Sequence, residues 1–181
     1  MSSREQNRHS IRLSGYDYSQ EGMYFVTTCT QDRACLFGDI VNGKMILNEL
    51  GDIVRSEWLK IEAIWSNVKC DAFVVMPNHF HGVVVITNTV GAIHELPLHE
   101  LPLQMTIKQR RNMLLPKIIG RFKMQVSKQV NLVRGMPGQK LWQRNYYEHV
   151  VRDEDDYLRI YEYIDNNPLQ WELDSLHPQN L

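Results

Sequence analysis

The chain has 181 residues, 43% hydrophobic and 23% charged, and a formal net charge of −1. That length suits a single domain, 1–181, with a core large enough to stand without disulfides. The three cysteines, Cys29, Cys35 and Cys70, lack paired metal spacing. No apolar run approaches the roughly 20 residues of a membrane span, and the polar start from Ser2 to Gln6 does not read as a secretory signal. The expectation is a cytoplasmic protein with reduced thiols and no membrane partner.

Met23 to Thr30, rich in β-branched and aromatic residues, reads as the first strand. Leu36 to Leu47 reads as a hairpin with Asn42-Gly43 as a type I′ turn. Asn48 caps a helix in which Ile53, Val54, Trp58, Ile61, Ile64 and Trp65 recur at helical spacing. Cys70 to Met76 is strand-like, Pro77-Asn78 is turn chemistry, and His79-Phe80-His81-Gly82 leads into Val83-Val84-Val85-Ile86 as the second strand of a hairpin. Residues i and i+2 of a strand share a face, so His79 and His81 present two imidazoles side by side while Phe80 points into the protein. This is half a metal site at a sheet end. Ordinary hydrogen-bonded histidines are the alternative.

Segment 88–104 holds a tandem His-Glu-Leu-Pro-Leu repeat. Its prolines forbid a helix interior and its spacing is not His-Glu-x-x-His, so it reads as a low-complexity loop. Pro116 to Val133 is a basic amphipathic helix that buries Ile118, Ile119, Phe122, Val126 and Val130. Leu141 to Tyr147 reads as a short strand or a loop. The last helix, 153–167, opens on an acidic turn and ends before Pro168. This order is the βαββαβ of a ferredoxin-like α+β fold: an antiparallel sheet with helices on one face, plus a C-terminal helix.

The near-zero net charge hides a pattern. Residues 104–144 hold ten basic residues and no Asp or Glu, and from 148 onward nine acidic residues face only Arg152 and Arg159. Such a block is an electrostatic footprint for a polyanion, the alternative being a solvated basic helix face. The expected phosphate contacts are Arg110, Arg111, Lys117, Arg121, Lys123, Lys128 and Arg144. Trp142, Tyr146 and Tyr147 could stack on bases or pack in the core.

In the last helix Tyr157, Ile160, Tyr161 and Ile164 fall at i, i+3, i+4, i+7 and form the stripe expected to pack on the body. Tyr163 lies about 110° from the centre of that stripe, at roughly 100° per residue. Asn167, four residues on, is within its reach.

Three segments carry a family resemblance. His79-Phe80-His81 is similar to the His-hydrophobic-His motif of single-tyrosine HUH transposases. The run from Leu141 to Glu154 and the element Tyr163-Ile164-Asp165-Asn166-Asn167-Pro168 resemble the REP-associated tyrosine transposase branch of that superfamily. The resemblance covers roughly residues 10 to 172. It implies Tyr163 as a nucleophile and His79, His81 and Asn167 as ligands of one divalent metal, Mg²⁺ or Mn²⁺. It further implies cleavage and transfer of single-stranded or hairpin DNA through a 5′-phosphotyrosine link, by a monomer or homodimer. A replication-initiator or relaxase-type nuclease, a hairpin-DNA-binding protein that does not cut, and a binding module with structural histidines are the competing readings.

Overall fold

The computed structural model describes residues 16–87, 106, 109 and 111–180. The repeat loop at 88–104 and Arg110 lie outside the described residues. A four-stranded sheet is built from β1 (Gly22–Cys29), β4 (Val68–Val75), β5 (His79–Ile86) and β6 (Tyr147–Val151). Its order is β4-β5-β1-β6, with every neighbouring pair antiparallel. Among the described residues four helices accompany it: α1 (Glu49–Leu59), the single turn α2 (Ile61–Ile64), α3 (Leu114–Val133) and α4 (Glu154–Asn166). This is the expected ferredoxin-like arrangement, with a hairpin of β2 (Gly38–Val41) and β3 (Lys44–Leu47) inserted after β1.

Local chemistry accounts for the boundaries. Asn42 (φ 51°) and Gly43 (φ 71°) both adopt the left-handed conformation that a type I′ turn requires. The Asn48 side chain accepts hydrogen bonds from the Leu50 and Gly51 N–H groups and so caps α1. Asp153 caps α4 in the same way, accepting from the Asp156 N–H.

Each face of the sheet is covered. On one side α1 and α3 pack Trp58 and Phe122 against Phe80, with ring centroids 4.6 Å and 5.1 Å from it. Gly82 makes that contact possible, because a Cβ there would meet the Trp58 ring at 2.6 Å and the Phe80 ring at 2.8 Å. On the other side α4 lays Ile160 and Ile164 over Phe25 and Val83. Phe80 thus points into the core under α1 and α3, as the strand alternation predicts, and His79 and His81 face the α4 side.

Two expectations need correction. The last strand is Tyr147–Val151 rather than part of 141–147. Leu141 and Trp142 are buried in the main core, Trp142 lying 5.3 Å from Phe37 and 6.3 Å from Phe122. The buried side of α4 runs through Asp156, Ile160, Ile164 and Asn167, whereas Tyr161 is 48% exposed. The cause is polar. Asp156 accepts a hydrogen bond from His149 Nε2 at 2.8 Å and one from the Arg152 backbone N–H at 3.1 Å, and these tie the first turn of the helix to the end of β6.

Those bonds make an acid-sensitive anchor. The Asp156 carboxyl is held down at about 2 against an ordinary 3.8, chiefly by the His149 hydrogen bond and then by the Arg152 N–H. A carboxylate depressed in the folded state adds stability above its unfolded value, and that contribution is lost as pH falls through its folded value. Urea midpoints should therefore drop between about pH 4 and pH 2, and Asp156→Asn should flatten that part of the profile.

Candidate functional site

Four segments converge where β5 begins. His79 and His81 sit on β5 opposite Cys29 and Thr27 of β1. Both rings are buried, with exposures of 0% and 2%, and their centroids are 4.6 Å apart. Thr27 Oγ1 lies 2.7 Å from His81 Nδ1, and Asn78 Oδ1 lies 2.8 Å from His79 Nδ1. Each histidine is thus held through its Nδ1, which turns its Nε2 outward from the strand.

Tyr163 reaches this pair from α4. Its hydroxyl is 3.2 Å from His81 Nε2, and its ring stands edge-on to Phe25 at 6.1 Å, while Phe25 stacks on His81 at 5.4 Å. The helix is fixed in place by Ile160 and Ile164 beneath it and by the Tyr157 hydroxyl, which donates to Asp71 Oδ2 on β4 at 3.1 Å. Tyr163 itself is 42% exposed, so a substrate can meet it from solvent.

Asn167 closes α4 as its C-cap and is buried, with Oδ1 lacking a hydrogen-bond partner. Its Nδ2 donates to Asp174 Oδ2 at 3.4 Å. Asp174 follows the short 3₁₀ turn Trp171–Leu173, and its Oδ2 stands 3.6 Å from His79 Nε2. His79, His81 and Asp174 form a buried group whose ligand atoms all lie within 4.8 Å of one another. Asp174 carries no signal in the sequence, because it sits beyond the last helix in an acidic tail with no periodic pattern.

The electrostatics suit a cation. Burial pushes His79 down to about 4, against the opposing pull of Asp174, and pushes His81 well below its ordinary value, helped by His79. Both imidazoles are therefore neutral near pH 7, the form that ligates metal. Burial, then the Asp174 charge, raises the Tyr163 phenol. His79 Nε2 and Asn167 Oδ1 are buried without hydrogen-bond partners. Unsatisfied acceptors beside a carboxylate cost free energy that a positive ion would recover. His79, His81 and Asp174 could together hold a divalent metal ion.

The basic residues are placed less uniformly. Arg111, Lys117, Arg121 and Lys128 are exposed on or just before α3, which covers the sheet face opposite the histidines. Lys123 is different. Its ammonium donates to the carbonyls of Gln143 and Asn145 at 2.8 Å and 2.9 Å, and burial lowers it to about 8. Arg144, between those two carbonyls, is exposed. Tyr147 is exposed with its ring 6.4 Å from Phe25, on the side of the sheet that carries the site. Among the described residues, no helix is long and apolar enough to cross a membrane.

In fold the chain resembles a solved REP-associated tyrosine transposase. The chain is similar to the solved structure of such a transposase bound to a REP hairpin, with 17% identity, 88% of this chain and 72% of that chain covered, and a TM-score of 0.52. No protein-family model matches the chain. In sequence it is 43% identical over 171 residues to an uncharacterized protein of Haemophilus influenzae, covering 94% of this chain and 93% of that one, and it belongs to one family with that protein.

Removing a ligand should be read directly in metal affinity. Loss of a residue that merely supports a ligand costs roughly 10–100-fold, and loss of a ligand should cost at least as much. His79→Ala and Asp174→Asn should each weaken Mn²⁺ binding by roughly tenfold or more in calorimetric titration, while Glu172→Gln, two residues from Asp174, should not.

Proposed function

We propose that this protein cuts and rejoins single-stranded DNA, with Tyr163 as the nucleophile. The observation that carries the reading is the Tyr163 hydroxyl 3.2 Å from His81 Nε2, delivered from α4 to a histidine pair on β5. A substrate that forms a hairpin fits the likeness to the transposase bound to a REP hairpin. His79, His81 and Asn167, with Asp174 added, would hold Mg²⁺ or Mn²⁺.

In the cleavage step Tyr163 Oη forms a bond to phosphorus and the bond from phosphorus to the 3′ oxygen breaks. The phenolic proton is released to solvent and the departing 3′ oxygen takes one up, so charge balances. One ester replaces another, and attack by a 3′ hydroxyl on the phosphotyrosine restores a DNA strand without ATP. The phenol in this pocket is held protonated by burial and by Asp174, so the reaction needs positive charge at the site. A bound divalent ion would supply that charge to the phosphate and to the developing phenolate.

The protein's own groups do the positioning. Thr27 and Asn78 hold the imidazoles by their Nδ1 atoms, and Phe25 forms an apolar wall behind both His81 and Tyr163. The exposed cations Arg111, Lys117, Arg121, Lys128 and Arg144, together with Arg110, offer a track for the backbone, and such contacts position DNA without reading its sequence. Lys123 serves that track indirectly, by fixing the 143–145 loop that presents Arg144. Tyr147 offers an exposed ring for base stacking.

With a hairpin carrying a single-stranded 5′ extension and Mn²⁺, the protein should release a fragment ending in a free 3′ hydroxyl. Tyr163→Phe should lower that rate by a factor on the order of 10⁴ or more while leaving hairpin affinity intact. Hairpin binding by the wild type with no strand cut would leave a binding protein and defeat the enzymatic reading.

A further inference from the structure

Building on the metal-site reading above, we propose that Asn78 is the positioning residue that sets the tautomer of His79 and, with the same amide, secures the segment that carries Asp174. Asn78 is almost fully buried at 1% exposure. Its Nδ2 donates to two backbone carbonyls, Arg33 O at 3.2 Å and Leu176 O at 2.9 Å. Carbonyls only accept, so the amide nitrogen must face them and both its hydrogens are committed. The remaining atom, Oδ1, lies 2.8 Å from His79 Nδ1 and can only accept. His79 Nδ1 therefore carries the hydrogen, and the Nε2 of the neutral ring has only its lone pair.

A second observation agrees. His79 Nε2 has no hydrogen-bond partner, and Asp174 Oδ2 stands off at 3.6 Å. A hydrogen on Nε2 would draw a carboxylate oxygen to about 2.7–2.9 Å. The separation is that of two lone-pair atoms facing one space, as ligands around a cation do.

The other two bonds of Asn78 explain why its amide cannot turn over. Arg33 O is presented by a turn in which Asp32 and Arg33 have φ of 56° and 53°, a left-handed conformation uncommon outside glycine. Gln31 N–H bonding to Leu141 O, and Arg33 Nη1 bonding to Ser175 O at 2.8 Å, hold that turn. Leu176 is two residues past Asp174, and its N–H donates to Asp174 Oδ1 at 2.7 Å. That bond occupies Oδ1 and leaves Oδ2 directed at His79. One buried amide thus joins the β1–β2 turn, the histidine and the C-terminal carboxylate.

The test is nitrogen-15 NMR of the metal-free wild-type protein labelled at histidine ring nitrogens, recorded near pH 7. His79 should show a protonated Nδ1 and a bare Nε2, and a protonated Nε2 would overturn the proposal. Asn78→Ala should convert His79 to a mixture of tautomers, leave the Thr27-held His81 signals in place, and weaken Mn²⁺ binding by roughly 10–100-fold. An unchanged His79 tautomer in that variant would also overturn it. The tautomer is read without metal or DNA, so failure of the metal reading is seen separately, as absence of Mn²⁺ binding by a wild type whose His79 has a bare Nε2.

Discussion

Strand β5 is enclosed on both faces, and its two-residue alternation is the constraint from which the rest follows. Phe80, Val84 and Ile86 face one core, while Val83 belongs to the other. A slip of one residue would put imidazoles against Trp58 and Phe122, away from Thr27 and Asn167, and would press Phe80 into the site. The register is further pinned from both sides, since β5 pairs with β1 and β4 along its length. Gly82 belongs to the same constraint, because only a residue without a side chain lets the Trp58 ring lie on the strand beside Phe80. The histidines are therefore fixed by an inner strand of the sheet, and the tyrosine comes from the helix opposite.

The second side of the cleft depends on how α4 is docked. Two isoleucines supply the apolar contact, but the rotation of the helix is set by polar bonds at its ends: Asp156 to His149 near the start, and Asn167 to Asp174 at the finish. That rotation aims Tyr163 at His81 and leaves Tyr161 in solvent. The helix lies on its own chain's sheet, so the histidines and the tyrosine meet within a single polypeptide.

Much of this was legible in the residues, and the misses have physical causes. The β1 strand, the Asn42-Gly43 turn, the Asn48 cap and the His-Phe-His alternation each rest on local rules, and each is found as expected. Tyr161 departs from its expected place because helical periodicity counts apolar residues, whereas the buried face of α4 also takes in Asp156, whose carboxylate is hydrogen-bonded, and Asn167, whose Nδ2 reaches Asp174. Leu141 and Trp142 look like strand residues, and Trp142 does form an isolated antiparallel bridge with Thr30, but their side chains fill the core and the continuous strand begins at Tyr147. Asp174 and the role of Asn78 were out of reach, since both depend on contacts with residues about 95 positions away in the chain. Long-range polar pairing leaves no periodic trace. The basic block was visible as charge, but the division between exposed cations and Lys123, whose ammonium is committed to carbonyls, needed three dimensions.

The central claim is that one tyrosine on α4 becomes covalently joined to DNA. Peptide mass mapping of protein trapped with a suicide hairpin substrate measures this at residue level. The account predicts a 5′-phosphorylated nucleotide fragment on the peptide containing Tyr163, attached at that residue. Attachment at Tyr147, Tyr157 or Tyr161, or intact DNA with no modified peptide despite tight hairpin binding, would contradict it.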